Sequence, residues 1–134
     1  MKIKLCAYYA LRHDKDIEFE LYQKKDSSYL KVKRVGQASD IDTLYIVSRA
    51  KFNEISQMAL SLSATDILYG MNPDNPLIWN DGMSCVVEIG VFSESIKYVV
   101  RNPSSETDKR RLRAFVQLCK EIILTAKMNP KKVL

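Results

Sequence analysis

Hydrophobic and polar residues alternate along most of the N-terminal third of the chain. In KIKLCAYYAL, Ile3, Leu5, Ala7, Tyr9 and Leu11 share one face of an extended strand, and Ile17, Phe19 and Leu21 do the same in IEFELYQK. The polar run RHDKD between them predicts a turn. Pairing Leu11 with Ile17 then sets Tyr9 against Phe19 and Ala7 against Leu21, as a shared core face requires. A second turn at KDSS leads into YLKVKRV, which adds Leu30 and Val32 and completes a three-stranded meander. Residues 36–42 read as loop, and TLYIV as a short extended piece.

The period then changes. Ser48 is a plausible N-cap for RAKFNEISQMALSL, whose Phe52, Ile55, Ala59 and Leu62 recur at helical spacing. MNPDNPLIWNDG, rich in proline and asparagine, reads as loop. MSCVVEIGVF and SIKYVVR follow as strands around a Ser93-Glu94 turn, which opposes Val91 to Ile96, Ile89 to Tyr98 and Val87 to Val100. Ser105-x-x-Asp108 resembles a capping box and opens a helix over residues 106–128 that Asn129-Pro130 stops. Its stripe of Leu112, Phe115, Cys119, Ile122, Ile123 and Ala126 is expected to pack on Leu5, Tyr9, Phe19, Val87 and Ile89. The order β-β-β-α-β-β-α predicts a single α+β domain over residues 1–134, with a five-stranded antiparallel sheet and both helices on one face.

Composition narrows the chemistry. With 46% hydrophobic and 28% charged residues the chain has the make-up of an ordinary globular protein. No apolar run approaches the ~20 residues of a membrane span, so no membrane partner is expected. The run Leu5 to Leu11 behind two lysines lies at the lower limit for a signal-peptide core and meets charge at once, so a cytoplasmic location is expected. Three cysteines without close spacing and the single His13 offer neither a C-x-x-C motif nor a Cys/His zinc set, and neither metal nor cofactor is expected. Cys85 and Cys119 fall on apolar stripes and read as small core residues. Cys6 and His13 stand roughly 20 Å apart at ~3.3 Å per residue, too far for a nucleophile and its base. Glu18 and Glu20 share a strand face like paired catalytic carboxylates, but the odd register sum joining Phe19 and Leu21 to Leu30 and Val32 sets them opposite Lys31 and Lys33 as a charge ladder. No phosphate loop, G-x-S-x-G or H-E-x-x-H is present, so no catalytic residue is singled out. A small-molecule enzyme without a recognisable motif ranks third among the functional readings.

The net charge of +5 conceals a pattern. Residues 1–35 carry 9 basic and 5 acidic side chains, residues 36–108 carry 4 and 10, and residues 109–134 carry 8 and 1. Such asymmetry suits either a charged partner or internal complementarity. The densest cluster is KRRLR, residues 109–113, where Arg110 and Arg113 line the helix side away from the core and read first as a solvated face. Candidate partner-binding residues are Arg110, Arg111 and Arg113 together with Tyr69 and Trp79, the last a lone tryptophan in a proline-bounded loop. A nucleic-acid alternative rests on the outward face of the meander, where Tyr8, Tyr22 and Tyr29 interleave with Lys31 and Lys33.

Residues 81–128 resemble the C-terminal part of small uncharacterised bacterial α+β proteins, in which an Asp-Gly-x-Ser turn opens a hairpin and an amphipathic helix ends the domain. More distantly, the order of elements is similar to that of type III secretion chaperones and immunity proteins. That resemblance implies a partner that is another protein, and the chain is read as a non-enzymatic protein-binding module. Nucleic acid is the alternative on the basic and tyrosine-bearing face alone, and a homo-oligomer is compatible with either.

Overall fold

The computed structural model describes residues 1–35, 41–71 and 82–134. Six strands, β1 (Lys2–Tyr9), β2 (Ile17–Lys24), β3 (Ser27–Arg34), β4 (Asp42–Val47), β5 (Met83–Val91) and β6 (Glu94–Arg101), form one antiparallel sheet in the order β4-β3-β2-β1-β5-β6. Among the described residues three α-helices, α1 (Arg49–Leu60), α2 (Ala64–Met71) and α3 (Arg113–Thr125), cover one face of it. The α+β class, the antiparallel sheet and the one-sided helices agree with the sequence reading. The strand count does not, because the TLYIV piece is a full edge strand paired with β3 from Ser28↔Val47 to Lys33↔Asp42. Helix α2 was also not expected; its ATDILYGM stretch is too short to display a clear period.

Alternation assigned the faces correctly. Ile3, Leu5, Ala7, Phe19, Leu21, Leu30, Val32 and Val87 point inward and are fully or almost fully buried. They meet Phe52 and Ile55 of α1 and Phe115, Leu118, Cys119, Ile122 and Ile123 of α3 in one cluster, with Tyr9 packed at its edge.

Two registers differ from expectation. In β1–β2, Leu5 opposes Phe19 and Ala7 opposes Ile17, while Tyr9 pairs with Met83 on β5. The turn is wider than RHDKD: a 3-10 turn spans His13–Lys15, and Asp16 accepts a bond from the Tyr9 amide at 2.7 Å. In β5–β6, Ile89 opposes Ile96 and Val87 opposes Tyr98, so the turn residues are Phe92 and Ser93. Both slips are even-numbered and leave the paired strand residues on their predicted faces. Leu11, however, expected on the core face opposite Ile17, falls beyond the end of β1 in the turn and is 84% exposed. The β2–β3 register, with Phe19 on Val32 and Glu18 on Lys33, is the expected one.

The last helix starts at Arg113, seven residues later than expected from Ser105-x-x-Asp108. Residues 103–111 are turns, with Glu106 (φ 49) and Arg111 (φ 55) in left-handed conformation. The α3 N-cap is Leu112, which makes no side-chain capping bond. Asp108 instead accepts from Arg113 at 3.1 Å. By contrast Ser48 caps α1 as anticipated, its hydroxyl accepting from the Lys51 amide at 3.2 Å.

Candidate functional site

The KRRLR segment divides its charges among different tasks. Lys109 is exposed beside Glu106, 3.1 Å away, and Arg113 lies against Asp108. Arg111 stacks over the Tyr69 ring, 4.3 Å from its centroid, and stands 3.8 Å from Asp66, which brings two of the expected partner-binding residues together on one surface. Arg110 contradicts the expectation of a solvated helix face: only 4% of its surface is exposed. Its Nε donates to the Gly70 carbonyl at 2.9 Å, Nη1 to Asn102 and Ser105, and Nη2 to Arg101. The turns of 103–111 therefore wrap around a guanidinium. Burial draws its pKa down and the nearby Glu106 opposes that. Gly70 is required here, because a Cβ would fall onto the Arg110 carbonyl and the Leu112 side chain. Arg110 is a structural clamp and offers nothing to a partner. Trp79 lies outside the described residues.

Among the described residues no helix covers the sheet's other face. Tyr22 and Tyr29 oppose each other and stack at 5.7 Å between centroids, while Tyr8 sits six residues along β1 from Lys2, roughly 20 Å away at ~3.3 Å per residue. The lysines between them face carboxylates. Lys4 and Lys33 both reach Glu18, at 2.9 and 3.4 Å, and Lys2 reaches Glu20 at 2.8 Å. Lys31 is exposed opposite Glu20. Burial is the largest single influence on Glu18 and raises its pKa, but the two lysines together outweigh it and hold the carboxyl below its ordinary value. Cys6 lies behind Glu18, its Sγ donating to Oε2 at 3.8 Å, and burial pushes this thiol up. A hydrogen bond with Cys6, with burial second, pushes the Tyr8 phenol up to about 12. Lys2, Lys4 and Lys33 on this face are thus paired with carboxylates, and Lys31 stands exposed beside them.

The end of the β5–β6 hairpin has a different character. Phe92 is wholly exposed, with φ 56 at the first of the two turn positions. In a two-residue hairpin loop with positive φ there alone, glycine is the favoured occupant. A bulky residue in that conformation costs on the order of 1–3 kcal/mol. Around it, Val91, Ile96 and Leu60 are also exposed and border a largely apolar groove of about 410 Å³ floored by Ile89. On the uncovered face a second depression of about 510 Å³ runs beside Gly90, between Lys2, Tyr22 and Phe92. Nothing in the fold demands glycine at 90: an added Cβ would find its nearest neighbours, the Lys2 and Glu94 carbonyl oxygens, at an ordinary 3.8 and 3.9 Å. A glycine that the backbone does not need leaves room for an approaching group. Sequence reasoning missed this site because it counted Phe92 as the last strand residue. The adjacent pair Val91-Phe92 breaks the alternation, and that was the available signal. Compared with known protein families and curated sequences, the chain matches no family model and no curated protein.

Proposed function

We propose that the chain is a non-enzymatic protein-binding module whose contact site is the end of the β5–β6 hairpin. The observation that carries this reading is Phe92, an aromatic side chain held at a glycine-favouring position without burial in its own fold. Strain of this kind is retained where it serves a function, and exposed aromatic anchors dominate protein interfaces. The phenyl ring enters an apolar pocket of the partner, and the groove beside Ile96 and Leu60 receives an apolar side chain in return.

Phe92→Gly separates this role from folding. It is expected to raise stability, by about 1 kcal/mol as strain is relieved, while partner proteins retained by the immobilised wild-type chain are lost. A lower melting temperature for Phe92→Gly, or an unchanged set of retained proteins, would refute the assignment. So would submicromolar binding of single-stranded RNA or DNA at physiological salt that is abolished by Tyr22→Ala.

A further inference from the structure

The sheet has two edges, and they are built differently. Edge strands normally carry charges that discourage pairing with another chain. β6 has Glu94, Lys97 and Arg101. β4, in contrast, reads Thr-Leu-Tyr-Ile-Val over residues 43–47, without charge, proline or glycine. On the uncovered face its Leu44 is 55% and its Ile46 83% exposed, and Ile46 continues into the stacked Tyr29 and Tyr22. Among the described residues no backbone hydrogen bond outside the sheet reaches residues 42–47.

We propose that β4 pairs with β4 of a second copy of this chain, antiparallel about a two-fold axis through Tyr45. That register places Leu44 of each copy opposite Ile46 of the other and Thr43 opposite Val47. It keeps helix-side residues on the helix side, as a continuous twelve-stranded sheet requires. Asp42, the strand's only charge, falls opposite Ser48, so no like charges meet. A two-fold pairing about Tyr98 on β6 instead buries Lys97 against Val99 and leaves Arg101 facing Ser95. An uncharged strand offers nothing to a charged partner, whereas an identical strand matches it side chain for side chain. The contact is narrow, below the ~1,200 Å² of stable complexes, so the association belongs to the weak, concentration-dependent class. It uses a different surface from Phe92 and stands independently of that reading.

Sedimentation of the full chain across micromolar to near-millimolar concentrations is expected to show a monomer–dimer equilibrium. Ile46→Lys and Leu44→Glu, both at exposed positions, should each keep the fold by circular dichroism and weaken dimerisation about tenfold or more. Mixed in equal amounts, the two variants should associate with each other, because in this register one new ammonium faces one new carboxylate and the native Leu44–Ile46 contact persists across the axis. Phe92→Gly should leave the equilibrium unchanged. A chain that stays monomeric throughout, a dimer indifferent to Ile46→Lys, a mixture no tighter than its components, or a dimer lost in Phe92→Gly would each overturn the proposal.

Discussion

Arg110 holds together a segment that has no regular structure of its own. Four backbone carbonyls, from Gly70, Arg101, Asn102 and Ser105, converge on one guanidinium. Removing a buried donor leaves its acceptors unsatisfied, which costs far more than the net value of the bonds. Arg110→Met keeps the apolar stem and deletes the donors, so a loss of about 3–5 kcal/mol is expected in urea denaturation. Arg111→Ser and Arg113→Ser should each cost less than ~1 kcal/mol, since their ion pairs are exposed. Equal effects at 110 and 113 would return Arg110 to the surface. At Glu18 the consequence is pH dependence. Its folded pKa lies below the ordinary 4.5, so its contribution is fully present above that value and is lost as pH falls through the lower, folded one. Urea melts at stepped acidic pH should therefore show a shallower acid decline for Glu18→Gln than for the wild type. Identical slopes would mean that the lysines do not stabilise the charged form.

At the scale of elements, α3 buries Phe115, Val116, Leu118, Cys119, Ile122 and Ile123 in the core shared with the sheet. Among the described residues Phe115 and Phe19 are the two largest fully buried side chains. Phe115→Ala is expected to lose about 3–5 kcal/mol, as core aromatic truncations do, and a loss below about 1 kcal/mol in chemical denaturation would remove α3 from the core. The late start of this helix follows from Arg110. A helix begun at Ser105 would carry Arg110 on its wall, and the turns of 103–111 instead let the side chain enter the fold. The acidic residues of that segment then serve locally: Asp108 holds Arg113, and Glu106 holds Lys109. Cations thus precede the helix or are paired at its first residue, which relieves their conflict with the N-terminal dipole.

For the whole molecule, the asymmetry of charge along the chain is partly absorbed inside it. Arg111 of the basic end stands beside Asp66 of the acidic middle. Lys51 and Glu121, 2.8 Å apart in a contact that raises the lysine's pKa, instead pair the minority charge of each segment and link the two without reducing the asymmetry. Among the described residues no helix is long and apolar enough to cross a membrane. The described helices leave one face of the sheet to a ladder of alternating charge. Among the described residues, neighbouring exposed apolar side chains gather at the hairpin end around Phe92 and at the β4 edge around Leu44 and Ile46, while others such as Leu11 and Leu124 lie elsewhere.

Alternation with a period of two was enough to decide which residues face the core, because any even slip preserves the face. Ile3, Leu5, Phe19, Leu30 and Val87 were legible in that way, as were the stripe of α3, the Ser48 cap and the Glu18–Lys33 pairing. For the same reason alternation could not choose among registers two or four residues apart. Those were settled by the Asp16 bond to the Tyr9 amide and by the tight turn at Phe92-Ser93. Four basic residues in KRRLR look alike along the chain. Which one is buried depends on carbonyls from residues 70 and 101–105 meeting at one point, a long-range coincidence that no local pattern encodes. The candidate site was illegible on similar grounds. Gly90 is unremarkable until its surroundings prove open, and Phe92 reads as the last residue of a strand until the register makes it a turn residue in solvent.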